Sequence, residues 1–284
     1  MSSRLASLLL APLFVFSPDA GAKEIRRILG PVRLEGRAGE MHGPFEQKSM
    51  EFETDGWLRG LRISLLDSAR TPTGDWSVFC HAGFISSHPG EPWYELTHDQ
   101  GRREIRFPEG FGVPLASLRR YVLDGMLQSD DPKADASYYF DFSLDVAEKN
   151  VDAPLTSLRV RRIDIDPRKD GIPGEDVQWH VPPGEHRYTT RFKTQEPIRV
   201  HYMQTHVHRY VKYAALSQGD TTIYRANAVI DEDRRLLNFP VYSEKEGLVL
   251  KPGKDYDFTI VYDNPTENHI HAMGALELFF VADK

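Results

Sequence analysis

Residues 182–209 read PPGEHRYTTRFKTQEPIRVHYMQTHVHR. Two runs inside this stretch, 188–192 and 198–203, are short, rich in β-branched and aromatic residues, and bounded by Pro and Gly, so they read as consecutive strands. The stretch ends in Thr205-His206-Val207-His208. Side chains of an extended strand alternate faces, so His206 and His208 point to the same side, a geometry that suits a metal ion. A later run, His269-Ile270-His271-Ala272-Met273, repeats the alternation and adds a thioether, a soft ligand suited to copper. The spacing fits a His/His/Met copper centre built from two strands distant in sequence. The competing reading is a set of surface or core histidines with no metal.

Runs of the same kind recur at 57–65, 76–79, 138–146, 158–165, 211–216, 221–226, 257–262 and 276–282, with turn residues between them. They predict an all-β chain of two antiparallel β-sandwich, jelly-roll-like domains in tandem, 23–157 and 158–284. Residues 117–126 suit a short helix or a strand equally. The breaker-rich segment 164–174, DIDPRKDGIPG, is the best linker or long loop. Its Asp164, Asp166 and Asp170 only loosely resemble a calcium loop, because the spacing is wrong and the bidentate Glu is missing.

Of the 284 residues 40% are hydrophobic and 27% charged, enough for one large or two medium cores. The formal charge of -7, with no long basic run, argues against a nucleic-acid partner. Residues 1–22 combine Arg4, an apolar segment over 5–16 and Ala20-Gly21-Ala22. They read as a secretory signal cleaved after Ala22, so the protein is expected to be secreted or periplasmic. That apolar segment is short for a bilayer span, and no membrane anchor is expected. Cys80 is the single cysteine, which excludes an intramolecular disulfide and leaves either a buried small apolar residue or a metal ligand. GxSxG, HExxH, CxxC and phosphate-cradling glycine patterns are absent from the sequence.

Pro182-Pro183-Gly184-Glu185, His206-Val207-His208, Lys212, the turn at Gly219-Asp220, Leu250-Lys251-Pro252-Gly253, Tyr262-Asp263-Asn264 and Met273 together resemble a known family. It is the C-terminal domain of the copper type II, ascorbate-dependent monooxygenases, relatives of peptidylglycine alpha-hydroxylating and dopamine beta-monooxygenases. The resemblance covers roughly the last 105 residues. It implies that His206, His208 and Met273 hold a copper that activates dioxygen, with a small-molecule substrate and an external reductant. More faintly, Val78-Phe79-Cys80-His81, 107–112 and 121–128 resemble the family's first domain. The three histidines of its electron-transfer copper then fall on Cys80, His81 and Met126, either a softened Cu(I) site or a degenerate one. One copper per chain is implied, or two if that site binds. His88 and His98 are further imidazoles of the same half.

Other positions depart from the family. Gln204 stands where an arginine would hold a substrate carboxylate, and Ala275 and Glu277 replace an asparagine and a tyrosine, so peptide amidation is not expected. His269 and His271 are alternative ligands, outer supports of the centre, or loop histidines. Beside the monooxygenase reading stands a non-catalytic exported copper-binding protein, and beside both a metal-free interaction sandwich.

Overall fold

The computed structural model describes residues 22–283 except 36–44, 75, 87–93, 100–101, 129–134, 150–153, 168–178 and 233. Most of the expected signal segment, His88, Asp170 and most of the linker candidate lie outside these residues. Every regular element among the described residues is a strand. The first ten are β1 (Ala22–Glu35), β2 (Phe45–Glu51), β3 (Gly56–Leu66), β4 (Phe79–Ser86), β5 (Tyr94–Asp99), β6 (Glu104–Arg106), β7 (Phe111–Leu115), β8 (Arg120–Leu127), β9 (Asp135–Glu148) and β10 (Thr156–Ser157). The remainder are β11 (Arg159–Asp164), β12 (Trp179–Val181), β13 (Gly184–Phe192), β14 (Ile198–Val207), β15 (Val211–Gln218), β16 (Thr221–Asn227), β17 (Val229–Ile230), β18 (Leu236–Asn238), β19 (Tyr242–Leu250), β20 (Tyr256–Asn264), β21 (Ile270–Ala272) and β22 (Gly274–Ala282).

The ambiguous segment 117–126 contributes to strand β8, whose apolar Tyr121, Leu123 and Leu127 recur at even spacing and are buried. The expected strand at 76–79 shrinks to Phe79, because Ser77 and Val78 form a turn before β4. No helix of the described residues is long and apolar enough to cross a membrane.

In the first half, a sheet ordered β1-β9-β3-β7-β10, with β6 beside β3, faces a sheet ordered β2-β8-β4-β5. Their inner faces bury Leu61, Ile63, Phe79, Phe84, Leu123, Phe140 and Phe142. In the second half, β11-β22-β14-β19 faces β13-β20-β15-β16, with two further two-stranded ribbons, β12-β21 and β17-β18. Val200, Met203, Phe258, Ile260, Leu276 and Leu278 lie in that core. Sheet membership changes between Ser157, on a strand parallel to β7, and Arg159, on a strand antiparallel to β22.

One irregularity decides what the halves present to each other. The β14 register slips between Val200 and Tyr202, a bulge at His201, which reverses the parity of the strand beyond it. Ile198 and Val200 face the second core before the slip, and Met203 and Val207 after it. Tyr202, Gln204 and His206 are thereby turned outward, toward the first sandwich. On β22 the residues Phe279 and Glu277 alternate with the core residues Leu276, Leu278 and Phe280 in the same way.

Tyr202 and Phe279 thus join the first core. Phe107 meets both, with ring centres 5.3 and 5.0 Å apart, and Phe111 stacks on His201 at 4.1 Å. Burial holds the His201 imidazole below its usual range while its Nδ1 donates to the Glu244 carbonyl at 3.3 Å. Arg102, itself buried, donates two bonds of 3.2 Å to the Thr205 carbonyl and one of 3.4 Å to that of Phe239. The backbone just before His206 is therefore held by a side chain of the first half.

Acid stability has a local marker in the first sandwich. The Asp55 carboxylate accepts from the Ser117 backbone N–H at 2.8 Å and its hydroxyl at 2.9 Å, with Lys149 Nζ 3.2 Å away. These bonds, the backbone one first, pull its pKa down to about 2. A depressed carboxylate stabilises the fold fully above the unfolded value of 3.8 and loses that contribution as pH falls through about 2. Asp55→Asn is expected to lower stability at neutral pH and to flatten its decline between about pH 4 and 2. Chemical unfolding followed across that pH range reads both effects.

Candidate metal centre at the sandwich interface

His206 stands near the end of β14, 4% exposed, and His208 is half-buried just past it. Their ring centres are 5.4 Å apart at an interplanar angle of 76°. The spacing reflects strand alternation, as two imidazoles on one side of the chain require.

The first sandwich brings its own imidazole to the same place. On β4, Phe79, Ala82 and Phe84 point into the first core, and the register slips between Phe79 and His81. His81 is directed outward by this slip and lies opposite Met126 of β8. Its ring centre is 5.8 Å from that of His206, the two rings nearly perpendicular at 79°. Cys80, in the bulge, is buried, and its Sγ lies 3.5 Å from His81 Nδ1. Adjacent residues of a regular strand would face apart; the bulge is what lets these two meet. The cluster Cys80, His81 and Met126 therefore abuts the pair His206 and His208.

Met273 is brought to His208 by the main chain. Val207 and His206 pair with Gly274 and Ala275 across β14 and β22. The buried Tyr262 hydroxyl accepts from the His208 N–H at 3.0 Å and donates to the Met273 carbonyl at 2.6 Å. One phenol thus fixes both backbones. Met273 itself is half-buried, at the break between β21 and β22. Gly274 makes that break close-packed: a Cβ there would lie 2.6 Å from Ile260 Cδ1 and 3.0 Å from the Trp179 ring.

The break bears on the two neighbouring histidines. His269 and His271 do not share a continuous strand with Met273, because β21 ends at Ala272. His271 instead pairs with His180 of β12, their ring centres 4.2 Å apart. His98 lies opposite Ala82 in the β4–β5 register. Sequence reasoning passed over His180, the tying role of the Tyr262 hydroxyl and the Arg102 anchor. The apolar-polar-apolar order of Trp179-His180-Val181 could have marked His180, whereas the other two depend on long-range pairing.

Among the described residues, no three His, Cys, Asp or Glu side chains already close around one point where a metal ion would sit. The imidazole spacing is compatible with one shared ion, and the donor types are those copper takes. Two imidazoles on one tetrahedral ion, with metal–nitrogen bonds of about 2.0–2.1 Å, have ring centres about 5 Å apart. The observed 5.4 and 5.8 Å lie within a ring rotation of that value. The set His206, His208 and Met273 is soft, which suits Cu(I) better than zinc.

The positions flanking the centre are sealed. Gln204 and Glu277, directly paired across β14 and β22, are each 1% exposed, and the Gln204 amide donates to the Glu277 carboxylate. Tyr202 donates its hydroxyl to Gln204 Oε1 at 3.4 Å, and Arg162 lies 3.6 Å from Glu277. This network belongs to the packing of the two halves.

No family model and no curated protein sequence matches the chain. Among solved structures, PNGF-II overlaps 92% of this chain with a TM-score of 0.42 at 9% identity, and the chain spans 66% of the length of PNGF-II. The Macrobrachium rosenbergii nodavirus overlaps 99% of this chain and 97% of its own at 9% identity and a TM-score of 0.22. Overlaps this loose carry neither fold nor function.

Proposed function

We propose that the protein is an exported, single-centre copper-binding protein. In this reading His206 and His208 hold Cu(I), Met273 completes a soft donor set, and His81 closes the site from the first sandwich. The observation that carries it is the 5.8 Å approach of the His81 and His206 rings. It joins two donor clusters that the sequence separates. Imidazoles this close can share a single ion, which favours one copper per chain over two. The leader pattern of residues 1–22 supports export.

A dioxygen-activating enzyme of the copper type II class is the second reading, favoured by the soft His/His/Met donor set. Two features weigh against it. A single centre lacks the second copper that supplies an electron in the resembling family, and Gln204 and Glu277, where that family meets substrate, are buried against each other. Bound copper would supply redox chemistry; the residues of this chain bind it, orient it and exclude water.

Anaerobic titration with Cu(I) tests the proposal. Wild-type protein should take up one tight equivalent, and Met126→Leu should still take up one. Two tight equivalents, the second lost in Met126→Leu, would overturn the single-centre reading. Oxygen consumption with ascorbate well above that of free copper would favour the enzyme.

A further inference from the structure

The ribbon β12-β21 carries three histidines that the copper centre leaves unused. Trp179, Val181 and Ala272 are buried in the second core, so alternation turns His180 and His271 to the outer side of the ribbon. The two are directly opposed in register, with ring centres 4.2 Å apart. His269, exposed and two residues before His271, adds a ring centred 6.4 Å from that of His180.

The frame beneath them is fixed by one side chain. Asn264, 2% exposed, donates from Nδ2 to the Val181 carbonyl at 3.0 Å and to the Asn268 carbonyl at 2.8 Å. Its Oδ1 accepts from the Thr266 N–H at 3.0 Å and hydroxyl at 2.8 Å. The residue after His180 and the residue before His269 are thus tied to the same amide. Pre-positioning of this kind is what a metal site needs of its surroundings.

The geometry points to His180, His269 and His271 as a surface site for a borderline divalent cation, with Cu(II) preferred over Zn(II). Imidazoles on adjacent positions of one ion have ring centres about 4.5–5 Å apart for bonds of about 2.0 Å; the 4.2 Å of His180 and His271 is close to that spacing, and the 6.4 Å of His180 and His269 lies beyond it. Binding through all three therefore requires the exposed His269 ring to turn toward the other two. An all-imidazole set without sulfur, completed by solvent, favours Cu(II) over Zn(II) by the Irving–Williams order and gives no advantage to Cu(I). The inference stands apart from the interface centre, since it uses none of that centre's residues.

The test uses the full chain carrying His206→Ala and His208→Ala, titrated with Cu(II) and followed by electron paramagnetic resonance and calorimetry. One equivalent with nitrogen hyperfine structure is expected, weakened at least tenfold by His180→Asn and by His269→Gln, with Zn(II) bound more weakly than Cu(II). If that double variant does not fold, His180→Asn and His269→Gln are made in the wild-type chain with its interface centre first filled by one equivalent of EPR-silent Cu(I), and each should weaken the Cu(II) signal of the added ion to the same degree. Absence of Cu(II) binding, or Cu(II) binding that neither substitution changes, would overturn the site. Either result leaves the Cu(I) stoichiometry of the interface centre to be judged by itself.

Discussion

His206→Ala and His208→Ala are each expected to weaken Cu(I) binding by on the order of 100-fold or more, measured by anaerobic competition with a colorimetric Cu(I) chelator. Outer supports of a metal site alone are commonly worth about 10–100-fold, so loss of a direct imidazole should match or exceed that. His81→Ala should cost less, on the order of 10-fold, because in the proposed centre it would join from the opposite sandwich, and its loss would leave the β14 pair and Met273 as donors. The order follows from the structure. His206 and His208 share one strand end, with the preceding Thr205 carbonyl held by Arg102 and the His208 N–H held by Tyr262. An affinity insensitive to His206 and His208 would place the copper elsewhere.

Phe279→Ala is expected to destabilise the whole chain by about 3–5 kcal/mol, the usual cost of truncating a fully buried phenylalanine. Phe279 belongs by sequence to the last strand of the second sandwich, yet it is 0% exposed and packs in the first core against Phe107 and Tyr202, with ring centres 5.0 and 5.4 Å away. Its removal opens a cavity between the halves rather than within one. Urea unfolding should show a single transition in the wild type and a lower midpoint in the variant, with the slope unchanged if both halves still unfold together. A loss below about 1 kcal/mol would mean that the layer shared by the two halves contributes little.

The strands were legible because they are local. Alternation and turn residues in 57–65, 138–146, 198–203 and 257–262 each fall inside an observed strand, and the all-β class follows from them. The bulges were not legible. Nothing in HYMQT announces that the register slips at His201, yet that slip turns Tyr202, Gln204 and His206 toward the first sandwich. The same holds at Cys80, where regular alternation would have parted Cys80 from His81. The HxH pair could be read from sequence because its geometry is carried by three consecutive residues. That His81 would lie against it could not, since this depends on how two sandwiches pack. The run 269–273 looked like one strand by pattern, and Gly274, packed under Ile260 and Trp179, marks where β22 begins anew.

X-ray absorption at the copper edge of Cu(I)-loaded protein tests the donor set most directly. The account expects nitrogen scatterers with one sulfur, the sulfur contribution lost in Met273→Leu and retained in Cys80→Ser. A shell of nitrogen alone in the wild type, or a sulfur that survives Met273→Leu, would contradict it.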